Sequence, residues 1–282
     1  MMQRLLWIPV AALMAVSSNV AAEEEGYLSL GVGFERSSGK YGGTATIEST
    51  SIPVTLRYAR DDWSVKLTVP YLSVTGDGSV IINGIRGSGG GGMRMGIGMG
   101  GGGGGGGGGT TTTTTSTTTS TRVTNSGLGD VSLFASHALW QNEGGDAGLD
   151  AGVRIKFGTA NTMLGSGEND YAAQVSGYAA FGDVTPGLTL GYEKLGSTAT
   201  VPLDGAAYAS AGLDYLLGDE SNMGVEYWYA QPASATGYAQ RELTLYAATQ
   251  IGEDSSLRAF VMKGLSDGSP DSGFGVSLSS GF

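Results

Sequence analysis

The chain has no cysteine and a single histidine, His137, among its 282 residues. Without cysteine there are no disulfides, no thiol nucleophile and no thiolate-ligated zinc. One imidazole leaves little room for histidine chemistry. No apolar run reaches about 18 residues, so a helical membrane protein is excluded. Charged residues make up only 15%, and the balance is acidic, with a formal net charge of −11. Phosphate backbones are bound by an excess of lysine and arginine, so nucleic acid is not an expected partner. What the chain does have is 51 glycines, 13 tyrosines and 40% hydrophobic residues. No G-x-y period runs through it, which excludes collagen, and the apolar content is too high for a disordered chain.

The N-terminus reads as an address. A short basic start ending at Arg4 precedes an apolar stretch over 5–16, and Val20 and Ala22 fit the −3 and −1 positions of a cleavage site. Residues 1–22 are therefore expected to be a signal peptide, with 23–282 as the exported protein.

Residues 87–121 form a Gly/Thr tract that includes ten consecutive glycines, 100–109. Such a run has no side chains whose burial could offset its ordering entropy. Gly96, Gly98 and Gly101 satisfy G-x-G-x-x-G only by chance, because no strand-then-helix context surrounds them. The expectation is one flexible low-complexity loop over about 75–126.

On both sides of this tract, segments of about ten residues alternate apolar and polar positions between Gly, Asp, Asn and Pro punctuation. They cover 26–36, 52–59, 63–71, 128–140, 149–157, 171–181, 187–195, 206–217, 223–229, 243–251, 257–265 and 274–282. That makes twelve, an even number. Even-numbered segments are followed by tight acidic turns at 60–62, 141–146, 182–183, 218–220 and 252–254. Odd-numbered ones are followed by longer loops at 37–46, 75–125, 158–169, 196–205, 232–237 and 266–272. Short turns on one rim and long loops on the other predict an all-β fold, a transmembrane antiparallel barrel of the bacterial outer membrane. Aromatic residues near segment ends would form its girdles: Tyr27, Tyr58, Trp63, Tyr71, Trp140, Tyr171, Tyr178, Tyr192, Tyr215, Trp228 and Tyr229. A soluble sandwich would need an apolar second face, and here that face carries charge, Gly, Ser and Ala.

The polar face supplies the candidate pore-lining residues. Arg57, Lys66, Arg154 and Lys156 come from the second, third and fifth segments, while Glu193, Asp214, Glu226 and Glu242 come from the seventh to tenth. Opposed basic and acidic walls would set a transverse field that orients dipolar solutes. The same charges could instead pair across the lumen and plug it, and the sequence leaves both readings open. The last segment alternates Phe274, Val276 and Leu278 with small residues and ends on Phe282. That ending resembles the signal read by the barrel assembly machinery.

Several segments together resemble the outer-membrane transporter family associated with the meta-pathway of phenol degradation. They are Ile52-Pro53-Val54 to Tyr58 with Leu67-Thr68-Val69-Pro70-Tyr71, then Gly127-Leu128-Gly129-Asp130-Val131. Lys156-Phe157-Gly158-Thr159, Gly165-Ser166-Gly167-Glu168-Asn169-Asp170-Tyr171 and Gly191-Tyr192 complete the set. The resemblance spans 52 to about 192; Phe157 stands where the family has proline, and the Gly/Thr tract has no counterpart. It implies passage of hydrophobic or aromatic compounds across the outer membrane.

Other chemistry reads weakly. His137 lies near Asp130, Ser132 and Ser136, but Ser136 points to the other face of its strand and Ser132 lies far along it. Asp61-Asp62 and Asp219-Glu220 lack EF-hand spacing and are explained as turn residues. Glu168, Asn169 and Asp170 read as turn formers or as a polar mouth. No catalytic residue, metal or cofactor is expected. The expected partners are outer-membrane lipid and lipopolysaccharide, the assembly machinery and a small-molecule solute. The leading function is passive passage of small, hydrophobic or aromatic solutes. A closed barrel with a structural or surface-interaction role is the alternative, and an outer-membrane hydrolase comes third.

Overall fold

The computed structural model describes residues 26–77, 91–92, 103–104, 122–161, 163–198, 202–235 and 237–282. The signal segment and most of the Gly/Thr tract lie outside the described residues. Twelve antiparallel strands form one closed wall. They are β1 (Tyr27–Gly39), β2 (Ile47–Arg60), β3 (Trp63–Asp77), a two-part β4 (Arg122–Leu128 and Ser132–Gln141), β5 (Ala147–Lys156) and β6 (Asp170–Ala179). Then come β7 (Val184–Lys194), β8 (Gly205–Leu216), β9 (Ser221–Ala230), β10 (Gln240–Ile251), β11 (Ser255–Gly264) and β12 (Ser272–Gly281). Each strand pairs with its neighbours in sequence, and β12 returns to β1, with Ser29 opposite Gly281 and Ser38 opposite Ser272. Closure leaves no unpaired edge, which a bilayer would not tolerate.

The period-2 pattern decides which side of the wall each residue takes. On β1, Leu30, Val32 and Phe34 are exposed outward while Ser29, Gly31, Gly33 and Glu35 are buried within. The same switch repeats around the ring: Ile52, Val54, Leu56 and Tyr58 on β2, Leu188, Leu190 and Tyr192 on β7, and Val261 on β11 all face out. Exposed apolar residues in this number would aggregate in water but match hydrocarbon. The chain is thus an outer-membrane barrel, located in the bacterial outer membrane.

Two rims follow from the connections. Between β2 and β3 only Asp61 and Asp62 turn the chain, Asp61 taking a left-handed φ of 50°. Gly145, Gly182, Gly218 and Gly252 supply positive φ in the four other short turns. Tyr58, Trp63, Trp140 and Tyr215 ring this edge; Tyr71, Tyr171, Tyr192 and Phe274 ring the other. Three of the expected girdle residues are not there. Trp228 and Tyr178 lie on the inward register of β9 and β6, Trp228 being buried. Tyr27 shares the parity of Ser29, and its hydroxyl covers inward-facing Gly281. An aromatic near a strand end is lipid-facing only if its parity agrees.

The window expected to be loop is narrower than 75–126 at both ends. Thr75, Gly76 and Asp77 pair with Thr124, Val123 and Arg122, with a hydroxyl bridge of 2.8 Å between Thr75 and Thr124. β1, β2 and β3 run 13, 14 and 15 residues. A spanning strand needs about ten, so this part of the wall projects beyond the bilayer on the long-loop side. Residues 91–92 pair with 103–104 inside the tract.

Candidate functional site: the barrel lumen

The long-loop end of the lumen is built by the break in β4. Residues 129–131 leave the ladder, and the Gly129 amide donates to the Pro70 carbonyl at 2.8 Å. A Cβ on Gly129 would come within 2.6 Å of the Leu72 side chain, so the break needs glycine there. The step turns Asp130 inward. Its carboxylate accepts the Ala160 amide at 2.9 Å and lies 3.0 Å from Lys156 Nζ. Lys156 reaches Asp170 as well, at 2.7 Å, and Asp170 accepts the Gly196 amide at 2.8 Å. Thr159 takes the Val131 amide at 2.9 Å. This network draws Ala160 and Leu164 inward. Leu164 is completely buried, packed with Ala160 against Leu72 and Val74 on the inner face of β3.

Below this latch, cross-strand pairing lines up one row of side chains on the inner wall. Arg57 on β2 stands opposite Lys66 on β3, Lys66 opposite Phe134 on β4, and Phe134 opposite Arg154 on β5. The row continues through Ala172 on β6 to Glu193 on β7. Arg154 is buried and forms an ion pair with Glu193 across the small Ala172. Lys66 has no such partner among the described residues. Its electrostatic neighbours are Arg57, Arg154 and Arg258.

The far wall is organised differently. Asp214 on β8 accepts the Asn222 amide at 2.7 Å and the Tyr246 hydroxyl at 2.5 Å. The Arg258 guanidinium lies 4.1 Å from the centre of the Tyr246 ring, and Glu226, Asp214 and Glu35 are within its electrostatic reach. Glu226 and Glu242 are buried on the same inner face. Nearby, Tyr208 and Trp228 stack at 5.1 Å, and the Tyr208 hydroxyl donates to Gln174 at 3.1 Å. The inward positions of β12 and the start of β1 are small (Gly273, Gly275, Ser277, Ser279 and Gly281 beside Ser29, Gly31 and Gly33), and Met262, Phe260 and Tyr27 lie over Gly273, Gly275 and Gly281.

All eight expected lumen residues lie on the inward register. They do not form two separate charged walls, because Arg154 pairs with Glu193 and Lys156 with two aspartates outside the expected set. Arg258 and Glu35 were missed, although their alternation with Leu257 and Phe34 marks them as inward. Asp130 was legible only as part of a motif, since the β4 break sets its direction.

The remaining candidates have structural surroundings. His137 lies on the outward face at the short-turn rim, stacked on Trp63 at 4.3 Å, with Nδ1 3.2 Å from the Asp62 carbonyl. Ser136 points inward to a 2.8 Å contact with the Ser64 hydroxyl. Asn169 caps the Gly158 amide at 2.9 Å, and Glu168 is exposed. No group of three or more His, Cys, Asp or Glu placed to hold a metal ion occurs among the described residues.

No protein-family profile matches the sequence, and no curated protein matches it. Solved structures do. The chain is similar to a COG4313 outer membrane channel from Pseudomonas putida F1, at 13% identity and a TM-score of 0.66 over 94% of this chain and 98% of that one. It is also similar to the KdgM porin, at 11% identity and a TM-score of 0.50 over 90% and 99%. At such identities the likeness is one of fold: these relatives in shape are outer-membrane channels.

Proposed function

We propose that the barrel is a channel for passive passage of small solutes, hydrophobic or aromatic ones among them, in the manner of the phenol meta-pathway transporter family that its motifs resemble. The observation that carries this reading is the polar and charged inner face of the twelve-stranded wall. A barrel of twelve strands is wider than the eight-stranded kind that side chains close. The inward charges Arg57, Lys66, Arg154, Glu193, Asp214, Glu226 and Glu242 then line a wet path, with Lys156 at its long-loop mouth. A closed barrel is favoured by a different observation, Ala160 and Leu164 folded onto the inner face of β3 beside the Lys156 ties. Planar-bilayer recording separates the two: steady single-channel steps support the channel, and silence supports the closed barrel. Liposome swelling with a solute panel that includes phenol then ranks the permeants.

The membrane partners follow from the outer surface. Arg36, Lys194, Arg241 and Lys263 are exposed at the long-loop ends of their strands, where lipopolysaccharide phosphates lie. Phe282 is 74% exposed at the other rim, its amide bonded to the Leu28 carbonyl at 3.0 Å. As the signal for the assembly machinery it predicts that deleting Phe282 lowers outer-membrane levels on fractionation; unchanged levels would remove that role. The stack on Trp63 supports an anchoring histidine rather than a hydrolase, so His137→Ala is expected to leave barrel and conductance intact.

A further inference from the structure

The row Arg57–Lys66–Phe134–Arg154 is costly as it stands. Like charges directly opposite each other across two strands repel, and Arg57 and Lys66 are such a pair. Arg154 stands two strands further on, about 10 Å along the sheet. Phe134, buried between them with its ring over Gly152, presents apolar surface where water would otherwise solvate the cations. Glu193 answers Arg154. No carboxylate among the described residues answers Lys66, whose electrostatic neighbours are all guanidinium groups. An inward cation beside other cations, in a wall that buries its other lysine between two aspartates, calls for an anion that is not part of the chain.

We propose that Lys66, with Arg57 beside it, is a binding site in the lumen for the carboxylate of a small organic anion. The ammonium and guanidinium stand side by side, as the two oxygens of one carboxylate do. The apolar floor of Phe134 lowers the local dielectric and strengthens that attraction. The site is a relay rather than a trap: one unpaired lysine attracts an anion, and a single charge pair lets it leave. This rests on the channel reading and names a permeant class for it, organic monoanions in addition to neutral solutes.

The test is benzoate binding to the full-length refolded barrel at low salt, by calorimetric titration, with phenol and inorganic phosphate as comparison ligands. Lys66→Gln is expected to weaken benzoate binding by about tenfold or more, the loss of one charge-assisted contact. It should leave phenol unchanged, and Lys66→Arg should restore benzoate. Heat-modifiable gel migration verifies that each variant is folded. Equal benzoate affinity in the wild type and Lys66→Gln, no benzoate binding to the wild type, or phosphate bound in preference to benzoate would each overturn the site. Reversal potentials in a salt gradient give a second reading. Anion preference in the wild type that falls in Lys66→Gln supports the site, whereas open channels with no such preference overturn it and leave the channel standing. Benzoate binding to a barrel that is silent in bilayers supports the site and removes the channel.

Discussion

Lys66 and Lys156 stand on the same inner wall, two strands apart, and are held in opposite ways. Lys156 lies between Asp130 and Asp170, at 3.0 and 2.7 Å. Lys66 lies among Arg57, Arg154 and Arg258. The first is an internal tie joining the β4 break, Ala160 and the start of β6. The second has a charge that nothing in the described structure neutralises. Burial alone therefore does not reveal what a lumen cation does; the sign of its neighbours does. The far wall repeats the first arrangement with acids, since Asp214 is held by Asn222 and Tyr246.

If this contrast is right, stability should follow the paired groups and selectivity the unpaired one. The largest effect is expected from Lys156→Met, which leaves two buried carboxylates facing each other. Removing one partner of a buried pair costs about 3–5 kcal/mol, read as a lower urea midpoint for unfolding of the heat-modifiable form. The variant should also release Ala160 and Leu164 from the inner face of β3 and, if the barrel conducts, raise conductance. Arg154→Met comes next. It strands Glu193, which is largely shielded, and about 3 kcal/mol is expected in the same assay. A drop equal to that of an exposed arginine would show the pair to be solvated. Tyr246→Phe removes one of two donors to Asp214 and should cost about 1–3 kcal/mol; the double variant with Asp214→Asn should cost less than the two singles summed, because they share one bond. The smallest effect is expected at Lys66→Met. Relief of like-charge repulsion should leave stability unchanged or higher by less than about 1 kcal/mol. A clear loss of stability there would mean that Lys66 is tied after all, and the contrast with Lys156 would fail.

Much of this was legible beforehand where it depended on parity. The outward Leu30, Val32 and Phe34, the inward Arg57 and Lys66, and the alternation of short and long connections all follow from a two-residue period and from turn residues. The misassigned aromatics show the limit of that reasoning: Tyr27, Tyr178 and Trp228 sit near strand ends, as girdle residues do, yet their register turns them inward. The two ends of the loop window differ for a related reason. Thr75–Asp77 and 122–126 carry few apolar side chains, and only their pairing with one another makes them strand.

By itself the sequence determined the architecture: twelve alternating segments, their order, the side taken by most residues within them and the absence of thiol or cysteine-metal chemistry. These are local properties, set by backbone geometry and by the chemistry of neighbouring residues. Only the tertiary structure decided who meets whom across the lumen. Lys156 finds Asp130 because a glycine step breaks β4, and Arg154 finds Glu193 because Ala172 leaves space between them. Lys66 meets Arg57 because the two-residue turn at Asp61 and Asp62 fixes the β2–β3 register. Pairing energies depend on distance, and turns fix register only between neighbouring strands; distance across the lumen is set by closure of the whole barrel, which no local pattern encodes.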